Sequence, residues 1–226
     1  MGRPVKFTDT KKEWFRQSRL GRERSFETRE KLERFLIVCE GERTEPNYFE
    51  AFKQELPRNL VRLEVYGEGA NTLSLIARAL EIRDKEERSD YRFDHVWVVF
   101  DRDSFKPDDF DNAIDKATAA GMHCAWSNEA FELWYILHFE YRNTGMGREE
   151  YAGKLSVRPG EPYRKNAPDT YLKLSKKGNQ AQAVEWSRKL HEAVRAAQTP
   201  PSRSNPCTTV FLLVEQLNRF KVTRAD

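Results

Sequence analysis

Two apolar runs that end abruptly in carboxylates constrain this chain more than any other feature: Arg34-Phe35-Leu36-Ile37-Val38-Cys39-Glu40-Gly41 and His95-Val96-Trp97-Val98-Val99-Phe100-Asp101-Arg102-Asp103. Short runs rich in Val, Ile and Phe, with no polar alternation, read as parallel strands buried on both faces. In open α/β sheets the functional crevice lies beyond the carboxyl ends of the strands. If these two strands are neighbours, Glu40, Asp101 and Asp103 gather there as one acidic cluster. Clustered carboxylates repel, so one takes up a proton unless a cation compensates. An all-oxygen donor set of this kind suits Mg²⁺ or Mn²⁺. The competing account for either run alone is a strand that ends in a loop start or a helix N-cap.

The elements between these runs alternate. Thr44 to Phe52 has Tyr48, Phe49 and Phe52 on one helical face, with Thr44 or Glu45 as cap and Pro46 in the first turn. Val61 to Tyr66 reads as a second strand, 67–71 as a turn and Thr72 to about Arg88 as a helix. Pro107 opens another helix with acids in its first turn, and Gly121 closes it. Met122 to Trp126 is a short fourth strand, and the aromatic-rich stretch Ser127 to Phe139 is expected to be a buried helix capped by Ser127 or Asn128. Residues 140–164 are glycine- and proline-rich and read as an insertion or mobile loop. Helices are expected over Asp169 to Lys177, Gln180 to Gln198 and Thr208 to Phe220. The sum is an α/β fold with a parallel-rich sheet flanked by helices, a helical C-terminal layer and a basic N-terminal arm.

A length of 226 residues suits one such core with additions rather than two full domains. We divide it into an arm (residues 1–30), an α/β core (31–140) and a loop insertion with C-terminal helices (141–226). The net charge is only +3, but Arg3, Lys6, Lys11, Lys12, Arg16, Arg19, Arg22, Arg24, Arg29 and Lys31 crowd the stretch from Arg3 to Arg34 that holds the arm. That is the footprint of a segment able to follow a phosphate backbone, against the simpler account of a solvated terminus. Cys39, Cys124 and Cys207 are odd in number and lack paired spacing, which points to a reducing compartment without disulfides. No apolar stretch reaches bilayer length and no secretion signal opens the chain, so no membrane association and a cytoplasmic location are expected. His95, His123, His138 and His191 have no metal-ligand spacing.

The order strand-Glu-Gly, helix, strand, helix, strand-Asp-x-Asp resembles the Toprim fold of topoisomerases, primases and overcoming-lysogenization-defect nucleases. Three segments carry a closer resemblance: Cys39 to Phe49, Phe100 to Asp103 and Ser127 to Phe139. They are similar to the RloB family, also called AbiL-type phage-resistance proteins, and Asn205 to Val210 fits that family's tail. The resemblance implies a metal-dependent nuclease, cutting DNA or RNA in bacterial antiphage, abortive-infection defence, with Mg²⁺ or Mn²⁺ as cofactor. A companion AAA-type ATPase encoded nearby is implied as partner. Glu40 would be ligand or general base, and Asp101 and Asp103 would hold the metal. Related nucleases often carry a second acid four positions beyond the glutamate; here Thr44 stands there and the acid falls at Glu45, leaving Glu45 or Glu42 as donor for any second metal. Asn128 and Glu132 belong to the third motif, as phosphate contacts or outer support for the ligands, against a helix cap with an incidental acid. Lys176 and Lys177 are candidate phosphate contacts, although cations at a helix end are favoured anyway.

No glycine-rich phosphate loop ending in Lys-Ser or Lys-Thr occurs, so any ATP-driven step belongs to a partner. Two other readings compete with the nuclease. A non-catalytic regulator would keep the fold and bind nucleic acid or the ATPase. A haloacid-dehalogenase-type phosphatase would use Asp101 as a covalent nucleophile, but Asp108-Asp109 follow too closely to be its second acidic pair.

Overall fold

A computed structural model describes residues 32–69, 72–89, 92–103, 106–157 and 162–221. The basic arm and part of the turn at 67–71 lie outside the described residues. Four strands and their connecting helices alternate: β1 (Glu33–Cys39), α1 (Thr44–Lys53), β2 (Val61–Gly67), α2 (Thr72–Glu87), β3 (His95–Asp101), α3 (Pro107–Ala119) and β4 (His123–Asn128). There follow α4 (Glu132–Ile136), α5 (Arg148–Val157), α6 (Thr170–Lys177), α7 (Gln180–Ala196), β5 (Cys207–Thr208) and α8 (Val210–Asn218). The sheet order is β2-β1-β3-β4-β5. All neighbours are parallel except β4 and β5. Among the described residues, a mostly parallel five-stranded sheet with eight flanking helices is consistent with a Toprim-like α/β fold.

The absence of polar alternation in β1 and β3 has its reason in burial on both faces. Phe35, Ile37, Cys39, Trp97 and Val99 point into one core with Tyr48 and Phe49 of α1, Trp134 of α4 and Phe211 of α8. Leu36, Val38, Val96, Val98 and Phe100 point into a second core with Leu75 and Ala79 of α2 and Phe110 and Ala113 of α3. Successive strand residues thus serve opposite cores.

Three expectations are corrected. Ser127 and Asn128 do not cap a helix: they extend β4, because β5 pairs with them, Ser127 opposite Thr208 and Asn128 opposite Cys207. The helix within Ser127 to Phe139 shrinks to the five residues of α4, and its aromatic run is apolar all round because every side is buried. The chain from 140 to 164 is not an irregular loop throughout; it contains α5, opened by Glu149 and Glu150 in the first turn. Among the described residues no helix is long and apolar enough to cross a membrane.

Candidate active site

The strand order reverses between β1 and β3, since the chain moves from β1 outward to β2 and then returns to the other side of β1. Ligands bind open α/β sheets in the crevice outside the carboxyl ends of the strands at such a switch point. Glu40 follows β1 and Asp101 ends β3. The Glu40 N–H donates to the Val99 carbonyl at 2.8 Å, and the Asp101 N–H donates to Glu40 Oε2 at 3.1 Å. The ladder therefore fixes Glu40 against the β3 backbone.

A cavity of about 380 Å³ opens beside them, lined by Gly41 to Glu45, Asp101, Glu132, Arg148, Lys165 and Asn166. Three of its four acids are recessed, Glu45, Asp101 and Glu132 being only 5, 8 and 6% exposed, whereas Glu42 is exposed. Glu45 sits in the first turn of α1 and folds back over Gly41, where any Cβ would run into its carboxylate. A glycine after Glu40 thus leaves room for the Glu45 carboxylate, which a larger residue would displace. Glu132 accepts a hydrogen bond from the Tyr163 hydroxyl at 3.0 Å.

Burial raises the Asp101 carboxyl well above the usual carboxylate range, and the charges of Glu45, Glu132 and Glu40 push it further. A hydrogen bond from the Phe131 backbone pulls the other way. Glu45 is pushed up to about 7, mainly by desolvation and then by Glu132, while its own backbone N–H, Lys165 and Arg148 draw it down. Asp101 Oδ1 is buried with no hydrogen-bond partner. A buried acceptor left without a donor is costly and is usually explained by an ion, a water or a ligand.

The expected acids divide. Glu40 and Asp101 come together, joined by Glu45 and Glu132. Asp103, at φ 35°, instead forms an ion pair with Arg148, and its N–H donates to the Glu129 carbonyl at 3.1 Å. Asn128 turns away, its side-chain amide donating to the Pro201 carbonyl at 2.9 Å. Lys176 and Lys177 are exposed at the end of α6 and do not line the cavity.

Sequence reasoning did not find Arg43, Arg148, Lys165 and Asn166. Asn166 adopts φ 65°, accepts from Thr44 Oγ1 at 2.7 Å and receives the Asn47 side-chain amide on its carbonyl at 3.1 Å. That latch ties the 162–169 segment to the start of α1 and sets Lys165 at the cavity edge. An Asn flanked by Arg-Lys and Ala-Pro is the one local sign of a left-handed turn there.

The anionic donors that line the cavity with Asp101 are carboxylate oxygens, as Mg²⁺ or Mn²⁺ requires. Among the described residues no group of three or more His, Cys, Asp and Glu side chains could hold a metal ion. Mg²⁺ is usually held by one or two carboxylates with waters and substrate phosphates. The orphaned Asp101 Oδ1 beside Glu40 and Glu45 fits that pattern.

Fold and site together define an α/β protein with an acid-floored, cation-rimmed crevice at the switch point of its sheet. The chain belongs to the RloB-like protein family, whose profile matches residues 35–217. Neither curated proteins nor solved structures match it.

Proposed function

We propose that this protein is a Mg²⁺- or Mn²⁺-dependent nuclease of Toprim type, acting in bacterial antiphage defence of the abortive-infection kind beside an AAA-type ATPase. Membership of the RloB-like family is compatible with a defence-related protein. The observation that carries the chemistry is the unpartnered, buried Asp101 Oδ1 on the floor of a cavity rimmed by Arg43, Arg148 and Lys165. Acids set behind cations at a switch point suit a phosphate whose oxygens face the cations and whose phosphorus faces the acids.

Asp101, with Glu45 and waters, would hold the metal. When bound it would neutralise the scissile phosphate and ease deprotonation of the attacking water. Arg148 and Lys165 fix and neutralise the non-bridging phosphate oxygens. Asp103 is a positioning residue that holds Arg148 in place. Glu40, steadied by the Asp101 N–H, takes the proton of the attacking water. The ATPase would supply the ATP-driven step for which this chain has no phosphate loop.

The test is Glu40→Gln, which keeps the shape and the hydrogen bond from Asp101 while removing the proton acceptor. At equal expression the variant is expected to bind its partner normally and to lose nucleic-acid cleavage together with any phage protection. Protection equal to wild type would overturn the nuclease reading in favour of a non-catalytic regulator.

A further inference from the structure

We propose that the substrate of this site is an unpaired phosphodiester strand, led to the acids along a cationic groove that continues from the cavity. The chemistry rests on the nuclease reading; the geometry stands by itself. Arg43, Lys165 and Asn166 line both the cavity and a neighbouring groove of about 880 Å³ that is also lined by Pro162, Arg164 and Lys173. The two spaces therefore share a wall. Arg43, Arg164 and Lys165 are exposed, whereas Lys173 is partnered by Asp169 at 3.1 Å.

Depth decides between single and double strands. Glu45, Asp101 and Glu132 are buried residues that line the cavity, and the unpartnered Asp101 Oδ1 lies below its surface. A duplex is a stiff rod with a persistence length of about 150 base pairs. Bringing one of its phosphates to acids set back in a cavity of about 380 Å³ requires local bending that the paired strand resists. An unpaired strand is flexible enough to follow the groove, and a positive groove that tracks the backbone is how single strands are held without sequence preference. The Asn166 latch holds the backbone that carries Arg164 and Lys165 against the start of α1, so binding has to order only their side chains.

The experiment measures binding of labelled 12-nucleotide DNA, RNA and the matching DNA duplex to the full chain in EDTA, over a salt series. Wild type is compared with the triple variant Arg43→Gln, Arg164→Gln, Lys165→Gln. Contributions from the basic residues before Leu32 are common to both proteins and cancel. Single-strand affinity is expected to fall roughly 10- to 100-fold at 0.1 M salt, with the salt slope reduced by about 2, since each lost contact removes about 0.7. Duplex affinity is expected to stay within about twofold. Comparable losses for DNA and RNA single strands identify the backbone as the recognised chemistry; a loss confined to one identifies the sugar as part of it. Unchanged single-strand affinity, or an equal loss for the duplex, overturns the proposal. The outcomes separate from those of the nuclease reading. Groove-dependent strand binding without cleavage on adding Mg²⁺ refutes only the nuclease, and Mg²⁺-dependent cleavage of intact duplex in preference to single strand refutes only the unpaired strand.

Discussion

At the scale of single residues, this molecule keeps three carboxylates where water scarcely reaches them. Burial and mutual repulsion push Asp101 and Glu45 towards their protonated forms, an arrangement that costs stability in the absence of a compensating cation. A buried imidazole gives the clearest pH signature. His138 is 4% exposed, its Nδ1 lies 2.9 Å from the Trp134 carbonyl, and desolvation lowers its pKa to about 4. Its unfolded pKa is near 6.5, so the folded state binds the proton less well than the unfolded chain. Its contribution is whole above pH 6.5 and is lost as pH falls from there towards 4, to a total of about 3 kcal/mol. In urea unfolding at pH 7 and pH 4, His138→Gln is expected to lose about 2 to 3 kcal/mol less than wild type between the two conditions. An identical loss in both proteins would place the acid sensitivity elsewhere.

At the scale of elements, the position of β5 explains what the sequence hid. A two-residue strand has no periodicity to detect, yet its pairing extends β4 through Asn128 and shortens the helix that follows. β1 and β3 were legible because burial on both faces leaves an unbroken apolar run. Glu40 and Asp101 were legible because they end those runs. Glu45 and Glu132 were visible as acids in motifs, but their convergence on Asp101 depends on how α1 and α4 pack. Arg148 and Lys165 were not legible at all, since they reach the cavity from a glycine- and proline-rich stretch far along the chain. The β4–β5 joint is testable directly. Ser127 Oγ and Thr208 Oγ1 are 3.0 Å apart and fully buried. Thr208→Val leaves the Ser127 hydroxyl without a partner and is expected to cost about 1 to 3 kcal/mol. Adding Ser127→Ala should recover part of that loss in chemical denaturation, because the orphaned hydroxyl is then gone while the Val210 N–H, which donates to Thr208 Oγ1 at 3.3 Å, still loses that acceptor. Simple additivity of the two substitutions would show that the hydroxyls do not depend on one another.

At the scale of the whole molecule, a doubly buried sheet supplies the rigidity and a later segment supplies the charge. The strand order brings two chain-distant carboxylates to one point. The turn around Asn166 and the start of α5 then bring cations to the same cavity. The most direct measurement of this account is cleavage of labelled single-stranded nucleic acid by the full chain with its partner ATPase, in Mg²⁺ or Mn²⁺ and in EDTA, for wild type and Asp101→Asn. Wild type is predicted to cut only with the metal. Asp101→Asn is predicted to cut at no measurable rate while melting, metal-free, at or above the wild-type temperature, since a neutral amide replaces a carboxyl whose ionisation burial and its acidic neighbours oppose. Cleavage by Asp101→Asn at the wild-type rate, wild-type cleavage undiminished in EDTA, or no wild-type cleavage under any of these conditions would contradict it.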